Sequence, residues 1–382
     1  MKYPQFLIRY ERLKRNWSQE GLCKDICTVS YLSKIEQGKA EPSDEILSLL
    51  FERLGVEWQS SGIYAELIEN AWELLLSGHQ ERLQKLCSST IWNKYLNSVY
   101  GLDAILLKNV STDGASPLPD AIEVCMDHRQ LSIQRVLQER FEEAIKLNPC
   151  SFIYLASGSS HYWNGENTRA IELLQLAIQQ AASEGRALNI MYAHYYIGSC
   201  YSNLLYFEAM NSHYKIARSL ALDLGEYSIL NSIDYNIAST KIEMGQYTEA
   251  LRYFEGIKES NIMNLHKLAI CYEKTGQKAN ALETLNKAFN FLEEKPDEIW
   301  EIICRVVEIR LKDENYLDSD VYGNTLVKCF EEMKAQMPVG FCIFHMPWML
   351  EYLEHKRKYK QAYTLLLAFP SYRAKVAFSG EL

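Results

Sequence analysis

Residues 17–55 read WSQEGLCKDICTVSYLSKIEQGKAEPSDEILSLLFERLG, and the spacing of apolar residues there decides the fold of the first part of the chain. Leu22 and Ile26, then Leu32 and Ile35, recur at helical intervals, so each pair lies on one face of a short helix. Ser18 stands where an N-cap is needed for a helix over residues 19–25, because its hydroxyl can accept an otherwise unpaired backbone N–H. Thr28 or Ser30 opens the next helix, residues 29–37, which Gly38 ends. Pro42-Ser43-Asp44-Glu45 starts another: Ser43 caps it, and the two carboxylates suit its positive end. Ile46, Leu49, Leu50 and Leu54 form its apolar stripe, and Gly55 closes it. Toward the N-terminus, Phe6, Leu7, Tyr10 and Leu13 place one more amphipathic helix over residues 5–15. Residues 1–58 are therefore expected to form a first domain of short helices.

This arrangement resembles the Cro/phage-repressor (XRE) helix-turn-helix family. The likeness rests on four features: the Ser18-Gln19-Glu20 helix start, the apolar pairs facing one another, the run Ser33-Lys34-Ile35-Glu36-Gln37-Gly38, and the Pro42-Ser43 step before a Leu-rich helix. One departure stands out. The usual Gly-Val turn is replaced by a shorter Ile26-Cys27-Thr28-Val29, a form similar to the PlcR subgroup of peptide-sensing regulators. The resemblance implies double-stranded operator DNA as a partner, with the third helix in the major groove. Leu32 and Ile35 must then face the core, which leaves Val29, Ser30, Tyr31, Ser33 and Lys34 for base edges. Ser18 and Thr28 belong to the same surface, at the two helix starts. Gln19 sits where a side-chain amide and a helix N-terminus can both meet a phosphate, and Arg15 and Lys39 suit further phosphates.

The charge of the chain constrains this reading. The net charge is −9, yet residues 1–58 hold nine Lys/Arg and nine Asp/Glu, so the whole excess falls on the remainder. Within the first segment Arg9, Arg12, Lys14, Arg15, Lys24, Lys34 and Lys39 precede the acidic Glu41, Asp44, Glu45, Glu52 and Glu57. Contact with polyanions is thus confined to one narrow basic face. Hydrophobic residues make up 48%, but runs such as 104–107 and 365–369 are far too short to span a membrane, and no leader-like start is visible. The sequence is read as cytoplasmic, with no membrane partner. Its ten cysteines are scattered through apolar stretches, as buried thiols in a reducing compartment would be. Cys23 and Cys27 share a helical face without a second ligand pair, so no metal is expected there.

From Ser60 onward the pattern is one of paired amphipathic helices, giving an all-α chain. One spacing recurs: a small residue, a turn residue, a small residue, a bulky one and a small or apolar one. Gly158, Gly165, Ala170, Leu174 and Ala177 show it first, then Gly198, Leu205, Met210, Tyr214 and Ala217. Ala238, Gly245, Ala250, Phe254 and Ile257 follow, then Ala269, Gly276, Ala281, Leu285 and Ala288, and a weaker terminal copy ends with Ala362, Leu366 and Phe369. This resembles the tetratricopeptide repeat, with the small residues allowing close helix approach and the bulky one filling the gap to the next unit. The copies start 40, 40 and 31 residues apart, so helix lengths vary. The expected organisation is a helix-turn-helix at 1–58, linking helices or atypical repeats at 59–150 with a loop or kink at 110–119, and a tetratricopeptide-like solenoid at 151–382.

Stacked repeats form a superhelix whose concave face is lined by the first helix of each pair. By that analogy Tyr162, Tyr195, Ser199, Asn203, Tyr235, Asn236, His266 and Lys267 line it, a polar and aromatic surface. Side-chain amides suit an extended peptide, whose backbone has both donors and acceptors to pair. The context of Asn236, DYNIASTKIEMGQYTEAL, is similar to a peptide-facing segment of PlcR-type receptors. The architecture resembles the Gram-positive peptide-pheromone receptor regulators (the Rgg, NprR, PlcR and PrgX group). It implies a homodimer that binds a short signalling peptide and operator DNA, without a cofactor. Two alternatives stay open: a protein partner on the solenoid, or a scaffold or response-regulator antagonist with secondary DNA binding. No HExxH, P-loop, GxGxxG or GxSxG occurs, and the chain is read as a non-enzyme whose histidines hold ordinary amphipathic positions.

Overall fold

A computed structural model of the chain describes residues 4–56, 62–96, 98, 100–112, 118, 120–257, 261–369 and 372. Among them every regular element is a helix. They form two compact units, Met1–Ser157 with Leu176–Asn189, and Gly158–Gln175 with Ile190–Leu382.

The first unit opens with α1 (Pro4–Lys14), α2 (Gln19–Cys23), α3 (Val29–Glu36) and α4 (Asp44–Leu54). The expected caps are in place: Ser18, Thr28 and Ser43 accept from the backbone N–H of Gly21, Tyr31 and Ile46, and Gly55 ends α4 at φ 65°. Leu22, Leu32 and Ile35 are buried as expected. Three expectations need correction. The apolar stripe of α4 is Leu47, Leu50, Phe51 and Leu54, while Leu49 is 42% exposed and Ile46 only half-buried. The two candidate stripes differ by one step around the same helix, and only packing chooses between them. Likewise α1 buries Leu7, Ile8 and Tyr10, with Leu13 half-buried, and the side chain of Phe6 lies outside the described residues. Finally, α2 stops at Cys23, and Asp25 adopts φ 61° in the turn, a left-handed conformation that Asp tolerates better than most residues.

The same unit continues through α5 (Gly62–Leu76), α6 (Gln80–Cys87), α7 (Trp92–Leu96), α8 (Gly101–Ser111), a 3-10 turn (Asp120–Cys125), α9 (His128–Leu137) and α10 (Phe141–Leu147). Of the expected 110–119 loop, residues 113–117 and 119 lie outside the described residues, and α8 runs on through Val110 to Ser111. α8 is buried on two sides. Leu102 and Leu106 join Ile122 in the core of the first four helices. Ala104 and Leu107 join a second core with Trp72, Trp92, Tyr95 and Ile133. Asp103 accepts from Trp72 Nε1 at 2.9 Å between them.

Helix pairs follow: α11 (Ser151–Trp163) with α12 (Asn167–Glu184), α13 (Ala187–Asn203) with α14 (Phe207–Leu224), and α15 (Tyr227–Glu243) with α16 (Tyr247–Glu255). Next come α17 (Ile262–Lys274) with α18 (Lys278–Glu294), α19 (Glu298–Lys312) with α20 (Asp320–Gln336), and α21 (Val339–His355) with α22 (Tyr359–Ala368). The small positions of the repeat are contact points. A methyl on Gly158 would lie 2.6 Å from Leu174, and one on Gly198 would lie 2.5 Å from the Tyr214 ring. The bulky residue therefore sits against the small residue of its own pair, and Tyr214 also reaches the next pair, where its hydroxyl accepts from Asn236 at 3.0 Å. The α19/α20 pair does not keep the repeat spacing because its turn runs from Asp313 to Ser319, against three residues in the pairs before it. Its close approach is made elsewhere, by Gly323 against Tyr352.

Candidate functional site

The outward face of α3 follows from what holds the helix inward. Leu32 and Ile35 are fully buried, so Ser30 and Lys34 are exposed and Val29 is 43% exposed. Tyr31 and Ser33 are half-buried: the Tyr31 hydroxyl donates to Glu41 O at 3.4 Å, and Ser33 accepts from Gln37 at 3.1 Å. Ser18 and Thr28 are exposed beside them with their hydroxyls engaged as caps, and Lys39 is exposed. Arg15 is half-buried and held by the Glu11 carboxylate.

Beneath this face lies a buried ion pair that sequence reading passed over. Arg12 donates to both Glu36 oxygens, at 2.6 and 2.8 Å, and to Trp17 O at 2.8 Å. Gln19 Nε2 donates to Glu36 at 2.7 Å. Arg12 thus leaves the basic face and joins the interior, while the Gln19 amide is fixed in orientation from behind. Arg53 caps the far end of α2, donating to Leu22 O at 3.1 Å and to Lys24 O. The SKIEQG run owes Glu36 to this network, a requirement visible only once α1 and α3 are packed together. Cys23 and Cys27 are free thiols, and burial with the neighbouring Cys23 raises the Cys27 pKa. Among the described residues no group of three potential metal ligands occurs.

In the second unit the candidate residues gather in three places. The first is an aromatic and amide cluster formed by α11, α13, α14 and α15. The Tyr162 ring lies 5.7 Å from Tyr196, and Tyr195 stands 6.1 Å from Tyr214. Asn236 Nδ2 donates to Tyr214 at 3.0 Å and reaches Tyr195 at 3.5 Å, which turns its amide oxygen the other way. Ser199 donates to Tyr195 O at 3.0 Å and lies 3.1 Å from the Tyr214 hydroxyl, so it is a buried strut of this cluster. Burial among neighbouring phenols raises the Tyr162 pKa well above 10, and burial raises that of Tyr195. The repeat spacing marks Tyr214 only as the bulky residue; its hydroxyl, absent from the Leu or Phe of other copies, is the signal that sets it apart.

The second place is the end of α13. Asn203 is buried, donates to Asn167 at 3.3 Å, and has Gly340 close above it. The third is α17. His266 is fully buried, with Nε2 3.4 Å from His345 Nε2 and its ring edge-on to Trp300. His345 Nδ1 lies 2.8 Å from Phe341 O; that nitrogen must donate, so His345 Nε2 accepts and His266 Nε2 donates. Burial and the nearby Lys267 push the His345 pKa down to about 3 and that of His266 well below its usual value. Lys267, also buried, lies over the Phe344 ring. The expectation that the histidines hold amphipathic positions fails for this pair. Tyr235 lies edge-on to Phe254 at 6.1 Å.

Comparison with known proteins agrees with this geometry at the level of domains. A helix-turn-helix family matches residues 8–60, and a tetratricopeptide-repeat family matches residues 264–290. No curated protein matches the chain. Among solved structures, a Rap protein complexed with Competence and Sporulation Factor is similar in fold, at 14% identity and TM-score 0.56, over 83% of this chain and 99% of that one. The Rap conjugation gene regulator of plasmid pLS20, in complex with the Phr* peptide, is similar at 12% identity and TM-score 0.51, over 98% of this chain and 96% of that one. The chain is thus an all-α protein with an XRE-type helix-turn-helix and tetratricopeptide repeats, on a fold shared with two Rap proteins.

Proposed function

We propose that this chain is a cytoplasmic transcription regulator that binds operator DNA through α3 and a short signalling peptide on the inner faces of its repeats. The observation that carries the first half is the division of α3. Leu32 and Ile35 are fully buried, the opposite face presents exposed Val29, Ser30 and Lys34 with half-buried Tyr31 and Ser33, and the Arg12–Glu36–Gln19 network braces the helix from behind. In a major groove, Ser30, Tyr31, Ser33 and Lys34 would meet base edges, with Val29 against a thymine methyl. Arg15, Gln19 and Lys39 would meet phosphates, with Ser18 and Thr28 at the helix starts beside them. One such helix gives too few base contacts for useful specificity, so the reading includes a homodimer on two half-sites.

The second half rests on the Tyr162–Tyr195–Asn236 cluster and on the fold shared with two Rap proteins, solved in complex with Competence and Sporulation Factor and with the Phr* peptide. Tyr235 would extend this surface, whereas His266 and Lys267 are buried in the interior of the repeats. The peptide controls DNA affinity if it prefers one arrangement of the chain over another. Catalysis has no part in this reading.

Two measurements test it. Selection from a random duplex library with the full chain should enrich a sequence with two half-sites about ten base pairs apart, and Lys34→Ala should weaken its binding. No enrichment would sink the DNA reading. A thermal-shift screen against synthetic peptides from small open reading frames adjoining the gene should yield a stabilising peptide whose effect is lost in Asn236→Ala. A screen without a hit at high micromolar concentration would remove the peptide.

A further inference from the structure

The last helix of a repeat array has no following pair to cover it, so a soluble array ordinarily ends on a polar outer face. α22 does not supply one. Its sequence, YKQAYTLLLA, holds a single charge, and none of its side chains is fully buried. Ala362, Leu365 and Leu366 rest half-buried against the core of the second unit, with Phe369 just beyond the helix. At about 100° per residue that stripe runs on around the helix into a second one, Tyr359, Tyr363 and Leu367. These three are 63%, 64% and 47% exposed, so the apolar surface of α22 continues outward past the part that packs.

The charges around the second stripe select what covers it. Arg357, Lys358 and Lys360 are exposed at the start of α22. The last turn holds no charged side chain, and the carbonyls that end a helix are the negative pole of its dipole. A fitting partner is therefore apolar in the middle, positive at one end and negative at the other, and runs in the opposite direction. A second α22 is such a surface. Laid antiparallel across a two-fold axis at Tyr363, two copies bring Tyr359 to Leu367 of the partner subunit, and Lys358 and Lys360 to the end of the opposing helix. The two basic ends then stay about 15 Å apart, the length of the helix, whereas a parallel pairing would force them together.

We propose that α22 is the seam between two copies of this chain, joined antiparallel through Tyr359, Tyr363 and Leu367. The seam gives the homodimer of the function proposed above its contact surface, and it is tested without DNA. Sedimentation equilibrium of the full chain should show a dimer. Tyr363→Glu, which sets two carboxylates against each other on the axis, should raise the dissociation constant about tenfold or more. Leu222→Glu, at a comparably exposed apolar residue of α14, is the control and should leave it unchanged. Under mild oxidation a Tyr363→Cys chain should cross-link to its twin. Tyr359→Cys and Leu367→Cys chains should cross-link when mixed and not when alone.

A chain that stays monomeric at high micromolar concentration overturns the seam. So does a dimer that Tyr363→Glu leaves intact, or a Tyr359→Cys chain that cross-links to itself. A monomer that Tyr363→Glu makes melt earlier also overturns it, because the stripe is then covered from within the same chain. A dimer indifferent to Tyr363→Glu leaves the operator reading standing, whereas a failed duplex selection beside a Tyr363-dependent dimer removes the operator reading alone.

Discussion

At the scale of single residues, the DNA-facing domain depends on one buried charge. Glu36 is 2% exposed and binds both Arg12 and Gln19, so its loss leaves a guanidinium desolvated without its partner. Removing one member of such a pair typically costs ~3–5 kcal/mol. Glu36→Ala should lower the stability of the first unit by about that amount and abolish DNA binding, although Glu36 itself does not face the groove; chemical denaturation and a duplex-binding assay check both. His345 and His266 give a second prediction. In the unfolded chain both imidazoles take up protons below pH ~6.5, whereas in the folded chain His345 resists protonation down to about 3. Below pH ~6.5 the unfolded state therefore binds more protons, so stability is fully present above that pH and falls as the pH drops. Each such histidine contributes a slope of about 1.4 kcal/mol per pH unit. His345→Gln should flatten the fall between pH 6 and 4, read as the difference in urea midpoints from the parent chain. An unchanged slope would mean that the pair is not held neutral.

At the scale of elements, the repeat glycines act through two mechanisms that substitution separates. Gly276 sits at φ 77° with nothing within 4 Å, so alanine there costs only backbone strain, ~1 kcal/mol. At Gly198 the added methyl meets Tyr214, and overpacking costs typically ~1–3 kcal/mol. Gly198→Ala should therefore destabilise more, and should also disturb Tyr214 and Asn236, which Gly276→Ala leaves alone; equal melting shifts would count against the close-approach account. The element α8 supports a further prediction. Leu106 lies outside the helix-turn-helix sequence but is fully buried in its core. Leu106→Ala should cost ~2–5 kcal/mol and show as increased amide exchange in α1 and α4.

At the scale of the molecule, the first four helices share their core with Leu102, Leu106 and Ile122, so they are not an autonomous domain in packing terms. A fragment of residues 1–58 should melt well below the same helices in the full chain. Equal stability would show the α8 contacts to be dispensable. Under the function proposed above, the wider consequence concerns control: helices that share a core with α8 move with it, so a signal reaching α8 would reach α3 without a flexible linker between.

The sequence by itself determined the helices, their caps and the repeat. These features are local: Ser18, Thr28 and Ser43 cap through backbone groups three residues away, and the small-bulky spacing is written along one helix pair. It also identified Leu32 and Ile35 as the buried face of α3, because a helix has one solvent-averse stripe. Choosing between two adjacent stripes on α4 required knowing what α4 packs against. The α19/α20 pair was hidden by a longer turn, since a fixed spacing cannot survive an insertion. Only the tertiary structure decided which polar residues would be used up internally. Ser199 braces Tyr214, Asn203 lies under Gly340, and His266 meets His345, partners supplied from distant sequence by the stacking of helices. Burial and pairing of polar groups are properties of the assembled solenoid; the helical period that a single segment carries can say which face turns inward, but not what it will meet there.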